Sequence, residues 1–321
     1  MFRKAGGPEE KFEARDIPDR GAVSLSFYDA GRNTPRMPAP VFSQPGADVF
    51  VPDGSSVDLA LARTTHLALA AHADDLEFFA WHGIDACFGR TDQWFTGIVV
   101  TDGAGSPRSG HYALSTDAEM VEVRRAEQRA AAVVGEYSVV VQLAHPSAAI
   151  KDPRNYTPVE EIAHLLMRMR PQTVYVHNPA DRHDTHVAVF LRSLAALRAL
   201  PAANRPHHVY GCEGWRDLDW LVGADKTALP AGNRPHIQAA LAGAFDSQIA
   251  GGKRYDLAVQ GRRVAHATFH DSHAADRETG LIFAMDLTPL VRDDTLDPVN
   301  FTVAYVERLA TDVRSRLEKF R

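Results

Sequence analysis

Cysteine is scarce in this sequence, in which Cys87 and Cys212 are the only two among 321 residues. Two cysteines cannot form the set of disulfides that stabilises small secreted domains. An excess of positive charge is missing as well, because the formal net charge is -6. A mildly acidic chain does not attract phosphate backbones, so we do not expect nucleic acid as a partner. The low cysteine content fits a reducing compartment, and we predict a cytoplasmic protein.

Long apolar stretches are also absent. No segment approaches the roughly 18 uninterrupted apolar residues of a membrane span, and the first residues lack the apolar segment of a signal peptide. Residues 1–60 are irregular and contain many prolines, with short strand-like pieces at 23–28 and 48–51. We interpret residues 1–60 as an extension packed on a core domain of residues 61–321. A partly disordered arm is the alternative.

From residue 65 onward, short apolar runs alternate with segments of helical pattern. Such runs suit strands that are buried on both faces of a parallel sheet, and their alternation with helices is typical of βαβ units. We therefore predict an α/β fold, a Rossmann-like and mainly parallel sheet with helices on both faces. The predicted strands are 66–71, 94–101, 138–143, 173–176 and 208–211; the predicted helices are 75–88, 120–134, 159–170, 186–199, 237–248 and 300–320, with a hairpin at 254–269.

Two clusters of histidines and carboxylates follow predicted strands. Residues 72–75 read His-Ala-Asp-Asp after the first long strand, and residues 181–186 read Asp-Arg-His-Asp-Thr-His after the strand at 173–176. Ligands of open parallel sheets bind at the carboxyl ends of the strands. The predicted topology therefore brings both clusters to the same edge of the sheet.

These clusters contain the residue types of a catalytic zinc site. Such a site takes about three His or carboxylate ligands and leaves a position for water, and His72, Asp75 and His186 supply that set. A bound metal activates the water, and a neighbouring carboxylate such as Asp74 can take its proton. His183 can stabilise the oxyanion or protonate the leaving amine. A His-Asp-His set also accepts other divalent ions.

Simpler interpretations exist for the same residues. Asp74 and Asp75 at a helix start can be ordinary capping residues, and His183 with His186 can form a solvated helix face. His145 and His177 also follow predicted strands, so either could reach the same edge. Spacing alone does not choose His186 over His177.

The motifs resemble a known family. Residues 71–75 are similar to the AH(P/A)DD signature of the PIG-L/LmbE-like deacetylases. Residues 101–103 and 123–127 resemble the family's TDG…(L/V)RxxE segment, residues 181–189 resemble DxHPDHxAV, and residues 245–248 resemble a late SQ helix. The resemblance covers roughly residues 64–250 in the family's order. It implies a zinc-dependent hydrolase that removes an N-acetyl group from an N-acetylglucosamine-type sugar.

The resemblance also implies roles for individual residues. It assigns His72, Asp75 and His186 as metal ligands. It assigns Asp74 as the general base and His183 as the histidine that stabilises the oxyanion or acts as an acid. It also places Arg124 at a position that contacts the substrate. A solvated charge on a helix face is the alternative for Arg124. The chain departs from the family at Thr185, where relatives have an aspartate that tunes the catalytic histidine. Either Asp184 or Asp181 then takes that role, or His183 acts with a lower pKa.

Substrate recognition is assigned to the segment 211–220. Trp215 could stack on a sugar face, and packing in the core is the alternative for this side chain. Arg216, together with Glu213 and Asp217, could form hydrogen bonds with sugar hydroxyls. Residues 251–255 could bring a cation to the same edge. Relatives are often trimers or hexamers, so a homo-oligomer is an expectation that rests on resemblance.

Two other functions are compatible with parts of the sequence. A metal-free, nucleotide-binding Rossmann-like protein is one, but carboxylates rather than a glycine-rich loop follow the first long strand, and they would repel a pyrophosphate. A non-catalytic sugar-binding relative of the deacetylases is the other, and the change at Thr185 keeps it open. Zinc content and release of amine from N-acetyl sugars distinguish the three.

Overall fold

The computed structural model of the protein describes residues 40–321. Its centre is one sheet of eight strands in the order β1-β4-β3-β2-β5-β6-β8-β7. Strands β2 to β6 correspond to the five strands predicted in the core domain, and β1 to the strand-like piece at 48–51. The strands are β1 Asp48–Phe50, β2 His66–Ala70, β3 Phe95–Thr101, β4 Val139–His145, β5 Thr173–His177, β6 His208–Cys212, β7 Thr227–Pro230 and β8 Leu281–Asp286.

The five central strands are parallel, and the edges are antiparallel. β3 pairs with β2 and β4, and β5 pairs with β2 and β6, all in parallel register. β1 adds to β4 on one side, and β8 joins β6 and β7 on the other, all antiparallel. The prediction of a mainly parallel α/β sheet is therefore confirmed. β7 and β8 extend it beyond the five parallel strands that the pattern indicates.

Helices cover both faces of the sheet. Because side chains alternate along a strand, Leu67 and Leu69 of β2 belong to one apolar cluster and Ala68 and Ala70 to the other. The helices are α1 Val57–Ala62, α2 Asp75–Phe79, α3 Trp81–Cys87, α4 Asp117–Val134, α5 Ser147–Lys151, α6 Thr157–Met169, α7 Asp184–Arg198, α8 Pro235–Gly243, α9 Asp246–Ile249, α10 Tyr255–Phe269, α11 Thr288–Arg292 and α12 Pro298–Lys319. Among residues 40–321, no helix has the length and apolar character needed to cross a bilayer.

The start of α4 shows why the sequence folds locally as it does. Thr116 accepts a hydrogen bond from the backbone N–H of Glu119, and the Glu119 side chain accepts one from the backbone N–H of Thr116. This reciprocal capping box satisfies two N–H groups that the first helical turn leaves unpaired. It fixes the beginning of the helix that carries Arg124 to the site.

One predicted element is wrong. Where a hairpin at 254–269 turning at Gly261 is predicted, Tyr255–Phe269 form helix α10. The buried face of α10 includes Arg263 and His266, and these polar residues obscure the apolar spacing by which a helix is recognised. Gly261 lies within the helix and therefore marks no turn.

The N-terminal segment is described in part. β1 and α1 lie between residues 48 and 62, and Val49, Val51 and Val57 pack against the core. The predicted strand at 23–28 lies outside the described residues. The division of the chain at residue 60 stays a prediction.

Candidate metal centre and active site

Two neighbouring strands position the functional residues. β2 and β5 are adjacent and parallel, so the turns that follow them meet at the same edge of the sheet. The turn after β2 carries His72, Asp74 and Asp75, and the loop after β5 leads to His183 and His186 at the start of α7. The two clusters, which are far apart in sequence, lie in contact.

Three donor atoms of these clusters converge on one point. His72 Nδ1 lies 3.2 Å from Asp75 Oδ2 and 3.2 Å from His186 Nε2. Asp75 Oδ2 and His186 Nε2 are 3.4 Å apart. Ligands of a tetrahedral ion at bond lengths near 2.0–2.1 Å are separated by about 3.3 Å. The three atoms therefore have the spacing of a shared divalent ion.

The carboxylate of Asp75 is held in its charged form. Burial would raise its pKa, but the nearby imidazoles of His186 and His177 hold the pKa well below its usual value. The backbone N–H of His72 donates to Asp75 Oδ2 at 2.8 Å. A buried, ionised and oriented carboxylate is the form that binds a metal.

Asp181 orients His186. Asp181 Oδ2 lies 3.2 Å from His186 Nδ1, which leaves His186 Nε2 to face the convergence point. Burial would lower the pKa of His186, but Asp75 and Asp181 together raise it above its usual value. A carboxylate behind a histidine fixes its tautomer and increases its strength as a ligand. Asp184 is exposed at the start of α7, so of the two candidate carboxylates only Asp181 contacts the site.

A glycine permits this arrangement. A Cβ atom on Gly214 would lie 2.4 Å from Asp181 Oδ2 and 3.2 Å from His186 Nδ1. The neighbouring backbone N–H of Trp215 donates to Asp181 Oδ2 at 3.1 Å. The loop after β6 therefore packs against the pair at a distance that excludes any side chain at position 214.

His177 is close to the site, but its Nε2 atom is hydrogen-bonded to the protein backbone. The backbone N–H of Ala71 donates to His177 Nε2 at 2.9 Å, which occupies the lone pair that a metal would need. The His177 ring stacks on His186, with centroids 3.9 Å apart. Burial and the neighbouring His186 keep the pKa of His177 well below its usual value. Asp75, His177 and His186 form a second potential ligand set, and the hydrogen bond from Ala71 favours His186 over His177 as a ligand.

His145, the other competing histidine, points elsewhere. It is fully buried, and its Nε2 lies 2.6 Å from Glu161 Oε2. Glu161 also accepts a hydrogen bond from the backbone N–H of Ser43. This pair joins β4, α6 and the segment before β1, and its role is structural.

His183 lies beside the convergence point. Its ring centroid is 4.6 Å from that of His186 and 5.1 Å from that of His72. Burial lowers the pKa of His183, and the neighbouring imidazoles lower it further. Its Nδ1 atom is buried and has no hydrogen-bond partner in the described part of the chain. One potential ligand set, His72, His183 and His186, includes it.

Asp74 is buried next to these side chains in an unusual backbone conformation. It has φ 91° and makes no side-chain capping bond to α2, so the interpretation of Asp74 as an ordinary helix cap has no support. Its Oδ2 accepts a hydrogen bond from Arg124 Nη2 at 2.9 Å. Burial raises the pKa of Asp74 to about 6, against the lowering effect of Arg124. A carboxylate with a pKa near 6 is suited to accept a proton near neutral pH.

Arg124 is buried rather than solvated, and its guanidinium contacts protein atoms. Besides Asp74 it contacts the carbonyl oxygen of Ala73, Glu127 Oε2 at 3.1 Å and Ser247 Oγ at 3.4 Å. It lines the cavity of the site, and it holds Asp74 from behind. The interpretation of Arg124 as a solvated helix-face charge is wrong, because only 2% of the residue is exposed.

Three supporting residues were not identified from the sequence as parts of the site. Glu127 accepts hydrogen bonds from the backbone N–H and the hydroxyl of Ser247, at 2.6 and 2.8 Å. Gln128 Oε1 accepts one from the backbone N–H of Asp74 at 3.3 Å. Glu127 and Ser247 both fall in motif stretches, 123–127 and 245–248, and that coincidence is the signal that could have found them.

A cavity of about 740 Å³ opens above these residues. Trp215 and Tyr255 line it, and their rings meet edge to face with centroids 6.1 Å apart. Lys253 Nζ lies 5.0 Å from the centre of the Trp215 ring. The segment 251–255 therefore does bring a cation to this edge. Further cationic side chains line the cavity, namely Lys151, Arg182 and Arg262.

The predicted recognition segment is divided between the cavity and the surface. Trp215 and Glu213 line the cavity, whereas Arg216 and Asp217 are exposed and do not. The carboxylate of Glu213 contacts His266 Nε2 at 2.7 Å and accepts from the backbone N–H of Leu218 at 2.9 Å. The structure thus brings Trp215 to the site but not Arg216.

Residues 67–197 match the family model PIG-L, described as GlcNAc-PI de-N-acetylase. The matched range includes both clusters of histidines and carboxylates and helix α4, and it confirms the family resemblance drawn from the motifs. Over this range the chain is therefore similar to the PIG-L family. A search of curated proteins found no match.

Solved structures share the fold at low sequence identity. The N,N'-diacetylchitobiose deacetylase from Pyrococcus horikoshii is 10% identical, with TM-score 0.54, covering 69% of this chain and 84% of that one. A conserved protein from Thermus thermophilus is 18% identical, with TM-score 0.52, covering 68% and 93%. GalB, the 4-carboxy-2-hydroxymuconate hydratase from Pseudomonas putida, is 16% identical, with TM-score 0.51, covering 70% and 95%. Because a deacetylase and a hydratase share this fold, function has to be argued from the site.

Proposed function

We propose that this protein is a zinc-dependent hydrolase that removes the N-acetyl group from an N-acetylglucosamine-type amino sugar. The observation that carries the proposal is the convergence of His72 Nδ1, Asp75 Oδ2 and His186 Nε2 at 3.2–3.4 Å from one another, with the Asp74 carboxylate beside them. Two imidazoles and a carboxylate suit zinc, and three protein ligands leave a position open for catalysis.

The donor set fits a divalent ion electrostatically. Asp75 is ionised, and Asp181 stands behind His186. When bound, the ion would lower the pKa of a water toward about 7 and polarise the substrate carbonyl. The proposed ligands are His72, Asp75 and His186, and other divalent ions are candidates in place of zinc.

Asp74 is the proposed general base. Arg124 holds its Oδ2, and its Oδ1 has no hydrogen-bond partner within residues 40–321. The rigid clamp fixes the carboxylate, so that the second oxygen can take a proton from the attacking water without a change of rotamer. Asp74 Oδ2 contacts Arg124, whereas Asp75 Oδ2 contacts His72 and His186, which separates the proposed base from the proposed ligand.

His183 is proposed to stabilise the oxyanion or to protonate the leaving amine. Its Nδ1 is buried without a partner in the described structure, and its ring lies between His186 and the Trp215 side of the cavity. An imidazole with an unsatisfied nitrogen beside the reacting centre can donate a hydrogen bond to a developing negative charge. Thr185 cannot charge-tune this ring, and the carboxylate of Asp181 is used for His186.

Substrate binding is assigned to the cavity above the ligands. Trp215 presents a half-buried ring against which the apolar face of a sugar can pack. Lys151, Arg182, Lys253 and Arg262 line the same cavity, which favours a substrate that carries a phosphate or carboxylate away from the acetamide. Arg124 is assigned to positioning Asp74, and Arg216 to the surface.

The proposal is tested with a panel of N-acetylated amino sugars, free and phosphorylated, in which release of free amine is measured. We expect turnover that a chelator abolishes and zinc restores, with phosphorylated sugars preferred. The Asp74→Asn variant is the matched control, because it keeps the proposed ligands. Zinc binding without amine release from any sugar would support the non-catalytic relative. Absence of zinc binding would favour the metal-free nucleotide-binding protein.

A further inference from the structure

The C-terminal helix α12 has two apolar faces. On the inner face, Phe301 and Tyr305 pack against the core, and Arg308 pairs with Asp225 at 3.3 Å. On the opposite face, six apolar residues recur at alternating intervals of three and four along the helix. They are exposed, and they are Val303, Val306, Ala310, Val313, Leu317 and Phe320. We refer to these six residues as the outer seam.

The spacing of the outer seam is the heptad spacing of a coiled coil. Heptad position a is occupied by Val303, Ala310 and Leu317, and heptad position d by Val306, Val313 and Phe320. A regular apolar stripe on a helix is typical of a face that packs against a partner. Packing of Phe301 and Tyr305 on the domain already orders the first turns of α12, so the helix meets a partner without the ordering cost of an isolated peptide.

We propose that the outer seam of α12 pairs with the same seam of a second copy of this chain, as an antiparallel two-helix coiled coil. In the antiparallel arrangement, each residue at heptad position a faces a residue at heptad position d of the partner helix. Val313 then packs on Ala310, Val306 on Leu317, and Phe320 on Val303, each twice by symmetry. Every layer combines a larger and a smaller side chain, which fills space evenly.

The charges beside the seam favour the antiparallel direction. Glu307 and Arg314 are exposed at successive e positions, and the register above places Glu307 of one chain beside Arg314 of the other, again twice. A parallel pair would instead bring Arg316 next to Arg321 and Ala310 against Ala310. It would therefore place like charges together and leave a void at the central layer.

The first test is the mass of the full chain in solution, measured by sedimentation velocity over a concentration series. We expect a dimer, and we expect V306E/V313E to raise its dissociation constant by more than roughly 100-fold, because the pairing would bury unpaired carboxylates. A304E is the matched control, since Ala304 is exposed on the same helix outside the seam, and it should leave the dimer unchanged. A monomeric or trimeric wild type, or a dimer that survives V306E/V313E, would overturn the proposal.

The second test addresses direction. E307R and R314E should each weaken the dimer about fivefold, and the double variant E307R/R314E should restore it. Under oxidising conditions V306C/L317C should form a covalent dimer, whereas V306C alone should not. Residues 306 and 317 lie about 16 Å apart along one helix, so no bond can form within a chain. Native Cys87 and Cys212 are buried. Cross-linking of V306C alone would refute the antiparallel arrangement.

Discussion

Replacement of Asp181 by asparagine should weaken metal binding about 10–100-fold, the usual effect of removing a carboxylate behind a metal-binding histidine. The two oxygens of Asp181 accept three N–H groups. Oδ2 lies 3.2 Å from His186 Nδ1 and accepts from the backbone N–H of Trp215 at 3.1 Å, and Oδ1 accepts from the backbone N–H of His183 at 3.0 Å. An asparagine has the same shape but only one acceptor oxygen.

Either orientation of the new amide therefore fails at one end. If the amide oxygen faces His186, the amide NH₂ group meets the backbone N–H of His183. If the oxygen faces His183, the NH₂ group meets both His186 Nδ1 and the backbone N–H of Trp215. Loss of a hydrogen bond to a charged acceptor costs about 1.5–3 kcal/mol. The negative charge that helps raise the pKa of His186 is also lost.

The assay is competition for zinc against a chromophoric chelator, with Asp184→Asn as the matched control. Asp184 is exposed and three residues away along the chain, so this control makes the same chemical change without touching His186. We expect D184N to bind zinc within about twofold of the wild type. Equal affinities of D181N and D184N would refute the assignment of Asp181.

Three further predictions follow from the same geometry. Asp74→Asn should reduce turnover about 10²–10⁴-fold and keep a full equivalent of zinc by elemental analysis; loss of the metal would make Asp74 a ligand. Arg124→Met should destabilise the fold by about 3–5 kcal/mol in urea unfolding, because it leaves the buried Asp74 carboxylate unpaired, and a loss below about 1 kcal/mol would contradict the clamp. Burial lowers the pKa of His66 from 6.5 to about 4, so the folded state binds fewer protons than the unfolded chain between these values. Stability should fall as the pH falls through that window, and a His66→Phe variant that kept the full dependence would exclude His66 as its source.

Much of the fold could be predicted because the central strands are buried on both faces. The short apolar run that begins at His66 favours a strand buried on both faces, and the cluster at 72–75 follows it directly. β8, Leu281–Asp286, is equally apolar but pairs antiparallel with β6 and β7. No local sequence pattern predicts that pairing, because it depends on the chain returning to the edge of the sheet beside β6.

The site could be predicted as far as residue type and strand position determine it. The choice between His177 and His186 depends on which nitrogen the Ala71 N–H reaches, and that contact exists only after β2 and β5 pair. The hydrogen bond from Arg124 to Asp74 forms only because α4 lies against the turn after β2. The pattern of α10 does not indicate a helix because its buried face includes Arg263 and His266, and Arg263 donates to the carbonyl oxygen of Glu77 at 2.9 Å. In each case the deciding contact is tertiary.

The most direct measurement is anomalous diffraction at the zinc edge from crystals of the wild-type protein grown with zinc. The account predicts one strong site, with His72 Nδ1, Asp75 Oδ2 and His186 Nε2 each within about 2.0–2.2 Å of the ion and the Asp74 carboxylate outside bonding distance. An ion bound elsewhere, or one coordinated by Asp74 while any of the other three side chains stays beyond about 3 Å, would contradict it.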